Sequence, residues 1–253
     1  MTRRLRLHSA GSVDATPSRP WRWLEGVGPG SRGGSIVAPV NIDEAARLRQ
    51  EYEAEGLVEG NMASDPFLEF QTWLSGVIAV DIEEPNAFIL ATADAQGRPS
   101  SRALLMKAFS EEGIVFYTNL ASRKSEELRV NPVAAATFVW IPLHRQVRFE
   151  GGVVAVDPEE ADAYFALRPR GAKVAAHASA QSTVVSSRAE LEKRFAELEL
   201  AFGDGDVPRP TMWGGWRLVP NAVEFWQGRV NRLHDRVRYR QNGDMWIKER
   251  LAP

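Results

Sequence analysis

Between Ala87 and Val156 the chain passes through five short β-rich segments separated by Gly, Pro or turn residues, and this run limits the fold more than any other feature. AFILATAD (Ala87–Asp94) leads into the turn Ala95-Gln96-Gly97. SSRALLMKAF (Ser100–Phe109), GIVFYTN (Gly113–Asn119), VAAATFVWI (Val133–Ile141) and RQVRFEGGVVAV (Arg145–Val156) follow. Such composition with such punctuation reads as strands. Further strands are expected at Trp216–Leu218, Val223–Gln227 and Leu233–Arg240, and Asn242-Gly243 signals a hairpin turn into MWIKERL. Strands do not alternate regularly with helices, which disfavours a doubly wound parallel sheet. The expectation is a mainly β fold, an antiparallel barrel-like sheet with added helices.

The helices announce themselves by their caps. DPFLEFQTWLSGVIAV opens with Asp65 as N-cap and Pro66 at the first helical position, and Phe67, Phe70, Trp73 and Leu74 then form a core-facing stripe. Asp157-Pro158 opens a helix running to about Arg168. Ser187 and Glu190 form a capping box before Leu191, Phe195, Leu198 and Phe202. An earlier helix is expected from Ile42, with Ala46, Leu48 and Tyr52 near helical spacing and Gly56 at its end.

The first forty residues are different. They hold six arginines, no lysine, and only Asp14 and Glu25 as acids, among many Gly, Pro and Ser. Such a segment is expected to be a disordered tail, and it lacks the apolar stretch of a secretory signal. Residues 41–253 then form the folded domain. Gly28-Pro29-Gly30-Ser31-Arg32-Gly33 matches the dinucleotide pattern GxGxxG, but no strand precedes it and a proline interrupts it, so the match is rejected.

Several function classes fall away. With no cysteine, the chain has no disulfide, thiolate metal site, iron–sulfur cluster or thiol nucleophile; this fits a reducing cytoplasm. His8, His144, His177 and His234 are scattered without metal-ligand spacing, so no metal site is expected. No apolar run approaches the roughly 18 residues of a membrane helix. The chain carries 31 basic and 33 acidic residues, and its cations fall in separate patches, which argues against nucleic acid.

Those patches suit small phosphorylated ligands. Ser122 can cap a helix whose first turn holds Arg123 and Lys124, where free amides and two cations would cradle a phosphate; a solvated Arg–Lys pair is the plainer reading. Tyr164 and Arg168, four apart on one helix, could grip a second phosphate or form an ordinary amphipathic face. Arg102 and Lys107 bracket the apolar LLM. Five apart, they lie on opposite faces of a regular strand, so either the strand is bulged or they serve different groups. Gln146 and Arg148 share one face of their strand. The stretch WQGRVNRLHDRVRYR places five arginines and a histidine within Arg229–Arg240. As a strand it would line up Arg232, His234, Arg236, Arg238 and Arg240 on one face, needing an anion or acidic neighbours, unless it is a charged edge.

Taken in order, RALLMK (102–107), FYTN followed by SRK (116–124), RQVR (145–148), YFALRPR (164–170), QS (181–182), WGG (213–215), EFWQG (224–228), RLHDR (232–236) and the terminal ERLAP resemble the pyridoxamine (pyridoxine) 5′-phosphate oxidase family, over about Ala46 to Pro253. The resemblance implies a homodimer of split β-barrels with FMN at the subunit interface. It implies flavin contacts from Arg102, Ala103, Leu104, Leu105, Met106, Lys107, Tyr117, Thr118, Arg123, Lys124, Gln146, Gln181, Ser182, Trp226 and Arg236. It assigns the substrate phosphate to Lys107, Tyr164 and Arg168, and the pyridine ring to Arg232, Leu233 and His234, with Arg232 and His234 as catalytic groups. Arg49 and Tyr52 would belong to a segment closing over the ring. The implied reaction is oxidation of a phosphorylated pyridine vitamer, with O2 reduced to hydrogen peroxide. One departure stands out: after RPR the family commonly has a serine that helps hold the substrate phosphate, whereas here Gly171-Ala172 follows.

Overall fold

The computed structural model describes residues 56–253. The expected tail (1–40), the helix from Ile42, the GxGxxG match, Arg49 and Tyr52 lie outside the described residues.

Nine strands form one antiparallel sheet: β1 (Ala87–Ala93), β2 (Pro99–Leu105), β3 (Ala108–Ser110), β4 (Gly113–Asn119), β5 (Val133–Trp140), β6 (Arg145–Ala155), β7 (Trp213–Gln227), β8 (Asp235–Asn242) and β9 (Met245–Arg250). The main path runs β2-β1-β5-β6-β7-β4-β3, with β8 and β9 continuing from β7. Its two ends, β2 and β3, are consecutive in the chain. The Met106 amide donates to the Asn86 carbonyl at 2.9 Å, beside β1, and the next amide, Lys107, donates to Val115 of β4 at 2.9 Å. The chain therefore switches partners at Met106–Lys107, and the sheet curls round as a split barrel. The expected single strand Ser100–Phe109 is broken there, which settles the spacing problem: Arg102 is half-buried and Lys107 is exposed, so they serve different places.

The barrel fills from alternate positions. Phe88 and Leu90 of β1, Phe138 and Trp140 of β5, Val147 and Phe149 of β6, Val223 and Phe225 of β7, and Val237 and Tyr239 of β8 are all buried. Helix α1 (Pro66–Ala79) docks onto this core. Asp65 caps it, accepting from the amides of Phe67 at 2.7 Å and Leu68 at 3.2 Å. Phe70 then packs its ring 4.8–4.9 Å from those of Phe109, Phe138 and Phe149. Truncating such a ring would cost about 3–5 kcal/mol.

Two elements differ from expectation. Trp216–Leu218 and Val223–Gln227 belong to one fifteen-residue strand, β7, that runs through Pro220. Proline is tolerated because β7 itself bulges beside it: Glu150 pairs with Ala222 and Gly151 with Pro220, which leaves Asn221 as the extra residue. The strand expected at Leu233–Arg240 starts only at Asp235; residues 230–232 form a 3-10 turn.

The remaining helices are α2 (Arg123–Val130), α3 (Pro158–Ala166), α4 (Arg170–Ala178) and α5 (Arg188–Phe202). Helix α4 has no counterpart in the sequence reading, since Pro169 opens it without a polar cap. On α5 the Ser187 hydroxyl accepts from the Glu190 amide at 3.3 Å, while the Glu190 carboxylate takes the amide and hydroxyl of Ser186, one residue earlier than a regular capping box.

Candidate active site

A cationic basket forms where β2, β4 and α2 meet. Lys124 is buried, and its ammonium donates to Thr118 Oγ1 at 3.0 Å, Ser122 Oγ at 3.2 Å and Gln181 Oε1 at 3.0 Å. All three partners are neutral, and among the described residues Lys124 makes no ion pair. Burial, then the nearby Arg102 charge, push its pKa down to about 8 against the pull of Glu127. A buried cation held by neutral groups next to a second cation is a site made for an anion. Ser122 is the N-cap residue of α2, but its side chain makes no capping bond; it serves Lys124 instead.

Glu127 holds the other two cations. Its Oε1 accepts from Arg123 Nε at 2.8 Å, and its Oε2 lies 3.4 Å from Arg102 Nη2. Oε2 also accepts from Thr92 Oγ1 at 2.5 Å and Ser100 Oγ at 2.6 Å. Burial works against the charge, but the Ser100, Thr92 and Arg123 hydrogen bonds outweigh it and bring the pKa to about 2. Two arginines and a lysine against one carboxylate leave the basket with a net charge near +2, matching a phosphate dianion. FMN therefore fits this basket through its phosphate.

Beside the basket, Tyr117, Tyr164 and Trp213 stack with ring planes within 4° and centroids 4.3 Å (Tyr117–Tyr164) and 5.2 Å (Tyr117–Trp213) apart. The Arg168 guanidinium lies 4.9 Å from the Trp213 ring centre and donates through Nη2 to the Ala172 carbonyl at 2.9 Å. Its buried Nε has no hydrogen-bond partner. A cavity of about 230 Å³ opens between Tyr117, Arg168, Gln181, Trp213 and the Ala175–Ala176 face of α4. Tyr164 and Arg168 are thus brought together, though Arg168 lies past the end of α3. The Tyr117 pKa is pushed up to about 12 by burial and then by the Glu160 charge.

A third group lies at the far end of β7. Gln146 stands opposite Trp226 across β6–β7, and Trp226 opposite Arg236 across β7–β8. Gln146 and Arg148 share the outward face of β6, since Val147 and Phe149 are buried. The buried Glu224 carboxylate accepts from Arg236 Nε at 2.7 Å and Nη2 at 3.1 Å, and from Arg148 Nη2 at 2.8 Å. Arg238 and Arg240 both pair with Glu249 across the β8–β9 hairpin. Acidic neighbours therefore compensate this row of charge.

Arg232 and His234 are not part of that row. They sit in the turn before β8, where Asn231 and Arg232 both adopt left-handed backbone, with φ of 55° and 60°. Such a conformation costs of order 1–3 kcal/mol at a non-glycine residue. The Arg229 amide donates to His234 Nδ1 at 3.1 Å, so the neutral ring carries its proton on Nε2. Burial and then the Arg232 charge hold the His234 pKa below its usual value. The ring is thus biased toward the neutral form. The Trp226 ring lies 4.7 Å away, and Leu233 is exposed.

The expected residues thus fall into two clusters. Arg102, Tyr117, Thr118, Arg123, Lys124, Gln181, Tyr164 and Arg168 gather at one end of β7; Gln146, Trp226, Arg236, Arg232 and His234 gather at the other. None of the hydrogen bonds, ion pairs or ring contacts seen among the described residues joins the two. Along the 102–107 stretch, Leu104 packs against the core and Met106 is in it, Leu105 is half-buried, and Ala103 and Lys107 are exposed. Ser182 is exposed with a left-handed φ of 73°. Sequence reasoning missed Glu127, Glu224 and Trp213 as site residues. The signal available was EFWQG and WGG, each already quoted for its neighbours.

No helix among the described residues is long and apolar enough to cross a membrane, and no cluster of three metal-ligating side chains occurs among them. Residues 77–202 match the family model described as pyridoxamine 5′-phosphate oxidase, and residues 213–253 match the pyridoxine 5′-phosphate oxidase C-terminal dimerisation region. The pyridoxine/pyridoxamine 5′-phosphate oxidase of Rubrobacter xylanophilus is 50% identical over 210 residues, which cover 83% of this chain and 97% of that protein. The protein of the same name from Acaryochloris marina is 46% identical over 219 residues, covering 87% and 100%. Among solved structures, PhzG from Burkholderia lata, in complex with tetrahydrophenazine-1-carboxylic acid, superposes with a TM-score of 0.75 at 31% identity, covering 81% of this chain and all of that one. With that sheet, these clusters and these matches over most of its length, the chain belongs to the pyridoxamine 5′-phosphate oxidase family of oxidoreductases.

Proposed function

We propose that this chain oxidises pyridoxamine 5′-phosphate and pyridoxine 5′-phosphate to pyridoxal 5′-phosphate, using FMN and O2. The observation that carries this reading is the buried Lys124 ammonium, held by neutral partners beside Arg102. When bound, FMN would accept a hydride from the C4′ carbon and return the electrons to O2 as hydrogen peroxide. The protein's own task is to bind, orient and exclude water.

Arg102, Arg123 and Lys124, with Thr118, Gln181 and Ser182, hold the flavin phosphate in this reading. Tyr164 and Arg168, with Lys107, take the substrate phosphate. The unpartnered Arg168 Nε is a donor available to it. Ala172 offers no hydroxyl; its carbonyl orients the Arg168 fork instead. Arg232 stays charged and anchors the pyridine ring. His234, its Nδ1 taken by the Arg229 amide, is a hydrogen-bond donor through Nε2 and not a base waiting for a proton. With the amine substrate, the released imine hydrolyses to aldehyde and ammonia.

The separation of the clusters supports a homodimer with FMN at the interface. Thr118 stands opposite Gly214, and Trp226 lies twelve residues further along β7. That is roughly 30–40 Å of extended strand, too far for one flavin to touch both groups of a single chain. A cytoplasmic location belongs to the same proposal.

The purified protein should be yellow and should form pyridoxal 5′-phosphate and hydrogen peroxide from both substrates. A colourless protein that FMN cannot reconstitute would sink the reading. A yellow protein inert to both vitamers but active on tetrahydrophenazine-1-carboxylic acid would favour a second reading, an oxidase of another ring, which the likeness to PhzG motivates.

A further inference from the structure

We propose that Arg250, near the C-terminus, is a positioning residue for Arg232 and His234, acting through Asp235. Two successive left-handed residues that are not glycine, Asn231 and Arg232, relax unless their surroundings hold them. Two hydrogen bonds among the described residues lie inside the turn: the Leu233 amide donates to the Val230 carbonyl at 3.2 Å, and the Arg229 amide to His234 Nδ1 at 3.1 Å. Asp235, where the turn enters β8, ties it to its surroundings. Its Oδ1 accepts from Arg250 Nη1 at 2.6 Å. Its Oδ2 accepts from the Leu57 amide at 3.1 Å and lies 3.5 Å from Arg229 Nε.

All three guanidinium nitrogens of Arg250 have partners. Besides Asp235 it donates through Nε to Glu59 Oε1 at 2.6 Å, and through Nη2 to Glu59 Oε2 at 2.9 Å and the Leu57 carbonyl at 2.6 Å. The planar guanidinium thus ties three segments together: β9, residues 57–59 and the turn. The 59–63 segment is itself pinned, by Lys248 Nζ on the carbonyls of Glu59 and Met62 and by the Tyr239 hydroxyl on that of Ala63. Asp235 is therefore braced against a fixed frame. The Arg250 hydrogen bond is the largest influence on Glu59 and brings its pKa to about 2, so the brace stays charged throughout the working pH range. Among the described residues the charged groups around the turn include Arg229, Arg232, Asp235 and Arg236, and Arg250 pairs with the Asp235 carboxylate.

The inference rests on the reading that Arg232 and His234 meet the substrate. A displacement of about 1 Å in such groups can cost on the order of a hundredfold in rate. Arg250 itself touches neither cluster, so it acts on turnover and not on flavin retention.

The test uses the FMN-loaded protein. Arg250→Ala and Asp235→Asn should each lower kcat/KM for pyridoxine 5′-phosphate by about tenfold or more, mostly through kcat, with FMN affinity within twofold of wild type. The double variant should be no worse than the worse single variant, and Arg250→Lys should recover only part of the loss. In 15N-histidine spectra the His234 Nδ1 resonance should shift in Arg250→Ala. Normal turnover in folded Arg250→Ala, or loss of flavin in step with turnover, would overturn the proposal. If wild type holds FMN but oxidises neither vitamer, the functional reading fails separately. The His234 resonance then decides the brace alone, and an unchanged signal in Arg250→Ala refutes it.

Discussion

Lys124 shows how much of a binding site one buried charge can define. Its pKa of about 8 reflects burial and then Arg102, so the folded chain gives up this proton more readily than the unfolded chain, whose lysine titrates near 10.4. The sign follows. Between pH 8 and about 10.4 the unfolded state binds the extra proton, so this residue's contribution to stability rises with pH in that window and is lost as pH falls through 8. A bound phosphate dianion reverses the preference, because it needs the ammonium charged. FMN affinity of the apoprotein should therefore fall by up to about tenfold per pH unit above pH 8. Riboflavin, which lacks the phosphate, should show no such slope, and neither should Lys124→Met with FMN. Flavin fluorescence titration measures all three, and a flat wild-type profile would remove Lys124 from the phosphate site. The sequence showed Lys124 and Arg123 as a pair at a helix start. It did not show that Lys124 is buried and Arg123 held by Glu127. A glutamate on a helix, here one of the adjacent pair Glu126-Glu127, carries no signal until the fold surrounds it with Ser100, Thr92 and two arginines.

At the level of elements, alternation made the strands legible wherever one face is buried. GIVFYTN matches β4 residue for residue, and β1, β5 and β6 end within one residue of expectation. It failed where the cause lay in another strand. The two short strands expected at Trp216–Leu218 and Val223–Gln227 are one long strand, because β7 bulges at Asn221, opposite the Glu150–Gly151 step of β6, and so runs on through Pro220. A Cβ at Gly151 would lie 2.1 Å from the Val219 carbonyl oxygen and 2.6 Å from Pro220 Cα, all backbone that cannot step aside. Gly152, its neighbour, would meet nothing nearer than the Pro132 oxygen at 4.0 Å. Gly151→Ala should thus destabilise by about 1–3 kcal/mol, a fall in Tm of roughly 2–12 °C for a chain of this size. Gly152→Ala should change Tm little. Equal behaviour of the two variants in thermal unfolding would show that β7 does not depend on the bulge. The turn at Arg232 was misread for a related reason. Its period-2 spacing looked like strand, but left-handed backbone at two ordinary residues is imposed by tertiary contacts that no local pattern announces.

For the whole molecule, β7 is the element that separates the two halves of the site. Its first residues pair with β4 beside the phosphate basket and its last with β8 beside Trp226 and Arg236. The chain order of motifs hid this, because only eight residues lie between WGG and EFWQG, and extended strand turns that short gap into roughly 30 Å. If each flavin takes its basket from one subunit and its Trp226 end from the other, two disabled variants can rescue each other. Lys124→Met should cripple the basket and Arg232→Ala the ring contact. In a mixed dimer of the two, one site collects both defects and the other collects neither. Random association of equal amounts makes half the dimers mixed, each with one intact site of two, so about a quarter of wild-type activity should return. Were both halves drawn from one chain, every site in the mixed dimer would carry a defect and no activity would return. Co-expression with two affinity tags, purification through both, and assay of the mixed dimer separate these outcomes. The purified mixed species should reach about half of wild-type turnover per dimer, and activity no higher than that of the parent variants would refute the shared site.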